Sequence, residues 1–85
     1  MTYSVVFKPS AEKAFSKLPK DVQRRLYAAA LELSENPRPP GFKKLHGVDD
    51  LYRVRIGDYR LVYTVEDRHL KILVVAVGHR RDIYR

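Results

Sequence analysis

Residues 52–63 carry the pattern that most restricts what this chain can fold into. Arginines and apolar residues alternate along Tyr52-Arg53-Val54-Arg55-Ile56, and the alternation resumes in Tyr59-Arg60-Leu61-Val62-Tyr63 after Gly57-Asp58. Strict alternation belongs to a half-buried strand, and a two-residue loop with glycine first belongs to a type I′ or II′ hairpin turn. That turn pairs Ile56 with Tyr59, Arg55 with Arg60, Val54 with Leu61 and Arg53 with Val62. Tyr52, Val54, Ile56, Tyr59, Leu61 and Tyr63 then share one face, and Arg53, Arg55 and Arg60 the other. Like charges placed opposite each other destabilise a sheet. Three guanidiniums on one rigid face therefore point to an anion site, with phosphate as the natural ligand. The plainer reading is a solvated basic face.

Eighty-five residues, 45% of them hydrophobic, suffice for one domain with a modest core over residues 1–85. The formal net charge of +7 favours a polyanionic partner. There is no cysteine, which removes disulfides and thiolate metal sites and fits a reducing, cytoplasmic setting. The apolar run at the N-terminus is too short for a signal peptide, and the run from Ile72 to Gly78 is too short to span a membrane. His46, His69 and His79 are scattered without carboxylate spacing, so no metal site is expected.

Along the chain, residues 3–7 read as a strand. Ser10 is the expected N-cap of a first helix, with Glu12 in its first turn and Ala11, Phe15 and Leu18 on one stripe. Pro19 ends that helix. A second starts at Asp21, runs through Val22, Leu26, Ala29, Ala30 and Leu33, and stops at Asn36-Pro37. After a loop with three prolines, residues 43–46 read as a short strand and 47–50 as a turn. The hairpin follows over 52–66, then a turn at Asp67-Arg68. Residues 69–78 form the most hydrophobic strand, expected at the centre of the sheet and covered on both faces. None of the acidic residues is expected on the arginine face. The order β-α-α-β-β-β-β gives an α+β fold, two helices packed on a mostly antiparallel sheet.

Lys44-Leu45-His46-Gly47, the block Gly57-Asp58-Tyr59-Arg60-Leu61-Val62-Tyr63 and the ending Val77-Gly78-His79-Arg80 with Tyr84 resemble the RelE family within the RelE/ParE superfamily of toxin–antitoxin toxins. The resemblance covers nearly the whole chain. It implies a microbial-RNase-like fold and a ribosome-dependent endoribonuclease that cuts messenger RNA in the ribosomal A site without a metal or other cofactor. The 2′-hydroxyl attacks the neighbouring phosphodiester, leaving a 2′,3′-cyclic phosphate and a 5′-hydroxyl. Arg60 matches the arginine that neutralises the scissile phosphate. Arg80 matches one assigned to charge stabilisation or leaving-group protonation, and Tyr84 matches the tyrosine that stacks on a base.

Arg53 and Arg55 stand where well-known members have lysines. An arginine keeps its proton in proteins and cannot act as a general base. The base is thus open between His79, solvent and a purely electrostatic path. Lys20, Arg24, Arg25, Lys43, Lys44 and Arg81 are candidate contacts to RNA or ribosome backbone. The resemblance implies a hetero-oligomer with an acidic, RelB-like antitoxin that masks the basic face, and ribosome and messenger RNA as targets. Two other readings share the fold: a ParE-like inhibitor of DNA gyrase, and a catalytically silent module that binds RNA or antitoxin.

Overall fold

Strand β1 (Ser4–Phe7) is the β-branched and aromatic segment near the start of the chain. The computed structural model describes residues 2–45 and 51–79. Helix α1 (Pro9–Ser16) begins on Pro9, whose missing N–H is no loss in a first turn and whose φ is already helical. Lys8 holds the cap position and makes no side-chain capping bond. Ser10 is therefore a helical residue and not the N-cap its type suggested. Helix α2 (Lys20–Glu35) likewise starts one residue ahead of Asp21, with Pro19 at its cap. It ends where expected, at an extended Asn36 before Pro37. The Gln23 side chain folds the two helices together. Its Nε2 donates to the carbonyls of Leu18 at 2.9 Å and Ser16 at 3.2 Å, acceptors that the end of α1 leaves open.

The sheet order is β1-β5-β4-β3-β2. It contains β2 (Lys43–Lys44), β3 (Leu51–Ile56), β4 (Tyr59–Glu66) and β5 (Lys71–His79). Only the β1–β5 pair is parallel. The β3–β4 register is the one the alternation dictates: Ile56 opposite Tyr59, Arg55 opposite Arg60, Val54 opposite Leu61 and Arg53 opposite Val62. Gly57 has a φ of +62°, while Leu70 is the one non-glycine residue described with a positive φ. Asp58 thus has a negative φ, and the turn is of type II′.

Three expectations are adjusted. The short strand covers only Lys43–Lys44; His46 and the turn at 47–50 lie outside the described residues. The last strand starts at Lys71, because a 3₁₀ turn (Asp67–His69) and a left-handed Leu70, φ 48°, precede it. It lies between β1 and β4, buried on one face through Ile72, Val74 and Val77, while Leu73, Val75 and Ala76 are only half-buried. Val75 is also an extra residue. Tyr63 pairs with Val74 and Val62 with Ala76, so β5 bulges at Val75 and its alternation resets there.

The inner face of the sheet presents Tyr52, Val54, Leu61, Tyr63, Val65, Ile72, Val74 and Val77, packed with Ala11 and Leu33 of the helices. Val22, Leu26, Ala30 and Leu33 form the buried stripe of α2. Phe15 of α1 sets its ring edge-on to Phe7, with centroids 5.4 Å apart. Leu61, Ile72 and Val74 are fully buried, each worth about 1.5–3 kcal/mol of transfer free energy.

The proline-rich loop is tied to the end of the sheet by polar contacts. The Tyr63 hydroxyl donates to the Pro37 carbonyl at 2.6 Å. Arg38 pairs with Asp67 at 3.1 Å, and its guanidinium lies 5.3 Å from the centre of the Tyr52 ring. The Tyr3 hydroxyl donates to the same Asp67 at 2.7 Å. The bonds from Arg38 and Tyr3 hold the Asp67 carboxyl below its usual range. Burial pushes the Tyr63 hydroxyl up to about 12.

Val54→Asp sets an unpaired carboxylate on the inner face and should cost several kcal/mol, enough to unfold a small domain. A thermal melt like that of the parent would show the faces to be reversed. Tyr63 holds its proton more tightly when folded. Its contribution is thus fully present below pH 10 or so and is lost as pH rises toward about 12. Tyr63→Phe should cost about 1–3 kcal/mol at neutral pH through the unpaired Pro37 carbonyl. It should also flatten the alkaline limb of a denaturation–pH series.

Candidate nucleic-acid interface

Antiparallel partners project to the same side of a sheet, so the register defines the outer face row by row. One row runs Lys43, Arg53, Val62, Ala76 across β2, β3, β4 and β5. The next runs Arg55, Arg60, Gly78. Lys43, Arg53, Arg55 and Arg60 therefore meet on one surface of adjacent strands about 4.8 Å apart. In a two-residue hairpin the pair flanking the loop is the hydrogen-bonded one. Arg55–Arg60 is then a close, non-bonded pair with Cα atoms about 4.5 Å apart.

Two of these guanidiniums are not surface ornaments. Arg53 and Arg60 are each only 8% exposed, whereas Arg55 is exposed. Two unit charges 6 Å apart repel by about 0.7 kcal/mol in water and about 3 kcal/mol at an effective dielectric of 20. An anion bridging them reverses that sign. Among the described residues, Arg38 pairs with Asp67 and His69 with Glu66, both away from Lys43, Arg53 and Arg55. Glu66 corrects one expectation. It belongs to β4 and shares the parity of Arg60, so a carboxylate does lie on the outer face. It sits six residues from Arg60, about 20 Å along the strand, beside His69 at 3.3 Å.

The other candidates spread out. His79 is in register with Tyr59 on the inner-face side, its ring centroid 5.6 Å from that of Tyr59. The bulge at Val75 puts it there. Lys44 pairs with Tyr52 and has that residue's parity, opposite to Lys43. Lys20 and Arg24 line a shallow recess of about 330 Å³ on the helical side, with Phe15, Gln23 and Tyr27. Arg25 reaches the hairpin tip, where a Cβ on Gly57 would lie 2.7 Å from its Nη2. Arg80, Arg81 and Tyr84 lie outside the described residues. The sequence pattern signalled the glycine through its turn but carried no sign of the Arg25 contact, which joins residues far apart in the chain. Among the described residues, no group of three His, Cys, Asp or Glu side chains is arranged to hold a metal ion, and no helix is long and apolar enough to cross a membrane.

What the face can do chemically is hold phosphate in place. Fixed cations in a partly dried site favour a transition state in which negative charge gathers on phosphorus, and rigid strands hold them where it forms.

Comparison with known proteins agrees with this architecture. Residues 5–84 match the family described as ParE toxin of type II toxin–antitoxin system, parDE. Toxin RelG of Mycobacterium tuberculosis is 34% identical over 90 residues, spanning 100% of this chain and 99% of the relative. The mRNA interferase toxin RelE of Escherichia coli K12 is 35% identical over 82 residues, spanning 94% and 85%. Among solved structures, the RelE–RelB complex of Pyrococcus horikoshii superposes with a TM-score of 0.83 at 34% identity, covering 96% of this chain and 99% of that one. The RelBE2 toxin–antitoxin complex of M. tuberculosis gives 0.84 at 30% identity, covering 96% and 95%. With two helices on a five-stranded mixed sheet and relatives of this similarity over nearly its full length, the chain belongs to the RelE family of type II toxin–antitoxin toxins.

Proposed function

We propose that this protein is a ribosome-dependent messenger-RNA endoribonuclease of the cytoplasm, held inactive by an acidic RelB-like antitoxin. The observation that carries the reading is the outer-face cluster of Lys43, Arg53, Arg55 and Arg60, with Arg53 and Arg60 withdrawn from water. A relative at 35% identity bears the name mRNA interferase, and structural neighbours are toxin–antitoxin complexes. In the proposed reaction the 2′-oxygen attacks phosphorus, the bond to the 5′-oxygen breaks, and a 2′,3′-cyclic phosphate and a 5′-hydroxyl result. The 2′-hydroxyl gives up its proton and the leaving 5′-oxygen gains one. Arg60 stabilises the phosphorane-like charge, with Arg53 and Arg55 as supporting cations. Arg80 shares that role or protonates the leaving oxygen, and Tyr84 stacks on a base.

The position of His79 on the Tyr59 side favours a path in which solvent takes the proton over one in which His79 does. The gyrase-inhibitor reading draws on the ParE description of the matched family. The paired arginines and the RelE names of the relatives weigh toward RNA.

A translating extract with primer extension on the message tests the proposal. In-frame A-site cuts are expected with ribosomes and none without them. Loss of supercoiling activity with intact message would transfer the function to gyrase. Arg60→Ala should leave a folded protein that still binds ribosomes and cuts about a hundredfold or more slowly. Full cleavage by the Arg60→Ala, Arg80→Ala pair would remove the site assignment. Binding should weaken linearly with salt on logarithmic axes, and Arg53→Ala or Arg55→Ala should each lower that slope by about 0.7. An affinity indifferent to salt would contradict an anion site of any kind.

A further inference from the structure

Arg25 stands one turn after Asp21 on α2, the spacing at which a helix normally forms an ion pair. It does not take that partner. Among the described residues no carboxylate pairs with it; its guanidinium lies over Gly57 at the tip of the β3–β4 hairpin. A Cβ at residue 57 would fall 2.7 Å from Nη2, 3.5 Å from Cζ and 3.6 Å from Nη1, so the whole planar group is seated against the glycine. The residue is exposed, and its fork keeps donors for a ligand. Gly57 is two residues beyond Arg55, about 7 Å along the strand. That is of the order of the separation between neighbouring phosphates on an extended single strand.

We infer that Arg25 binds the message phosphate next to the scissile one, and that Gly57 is the seat that positions it. The inference rests on the proposed function, since it needs a phosphate at Arg55 and Arg60. An RNA strand fixed there and held by Arg25 runs off the hairpin tip. The hairpin thus gives the bound strand a direction. Gly57 serves twice: its positive φ makes the type II′ turn, and its bare Cα makes room for the guanidinium.

The test uses ribosomes programmed with a message blocked against cleavage by 2′-O-methylation. A single neutral methylphosphonate is moved through the linkages flanking the blocked one. Arg25→Ala should weaken binding several-fold on the unmodified message and lower its salt slope by about 0.7. The loss should disappear when the neutral linkage occupies one particular flanking position. Gly57→Ala should weaken binding less than Arg25→Ala does, because the Arg25 tip can shift aside, and should add nothing in the Arg25→Ala background. Melting curves separate this from the modest cost of a left-handed alanine. An Arg25→Ala protein with parental affinity and slope overturns the inference, as does a loss that persists at every neutral linkage, which would assign Arg25 to ribosomal RNA. If the parent protein itself shows no salt-dependent binding to these ribosomes, the proposed function falls with it. If the parent binds and Arg25→Ala is silent, only the Arg25 assignment falls.

Discussion

The pairing of β3 with β4 decides which side chains meet solvent and which meet the helices. Side chains alternate with a period of two, so a slip of one residue would invert one strand against the other, carrying either Arg53 and Arg55 or Arg60 into the core and exposing Val54 or Leu61 in exchange. Two features prevent that slip. The type II′ turn at Gly57-Asp58 fixes the start of the ladder, and the burial of Leu61 and Tyr63 penalises every alternative. The cationic surface is thus a by-product of core packing: the apolar face is held in place, and its reverse side follows.

That surface is built against an electrostatic gradient. Arg55 opposes Arg60, Lys43 opposes Arg53, and two of the guanidiniums are largely removed from water. Withdrawal from solvent is a disadvantage in the free protein and an advantage with ligand. A contact between unit charges at 4 Å grows from about 1 kcal/mol in water to about 4 kcal/mol at an effective dielectric of 20. An anion held between Arg55 and Arg60 would gain from both charges at once.

Much of this was legible in the chain. The hairpin register, the split into inner and outer faces, the buried stripe of α2 and the stop at Asn36 follow from periodicity and from the local chemistry of proline and glycine. What escaped depends on contacts that periodicity does not encode. Arg38, Asp67 and Tyr3 meet across long stretches of sequence, and no local pattern marks them as a set. Arg25 over Gly57 is the same kind of contact. Glu66 looked like a turn residue because the ladder runs to its end before the 3₁₀ turn begins. The first helix misled because proline at the first helical position makes a serine cap unnecessary.

The bulge at Val75 is a phase shift in the alternation of β5. Before it, Ile72 and Val74 face the helices; after it, Val77 and His79 do. An unbroken strand would have sent His79 to the arginine side. One inserted residue is therefore enough to exchange the side chains at the end of this strand between the two surfaces while the core upstream stays intact. Deleting Val75 would restore the unbroken alternation and turn His79 toward the arginine side without touching Ile72 or Val74.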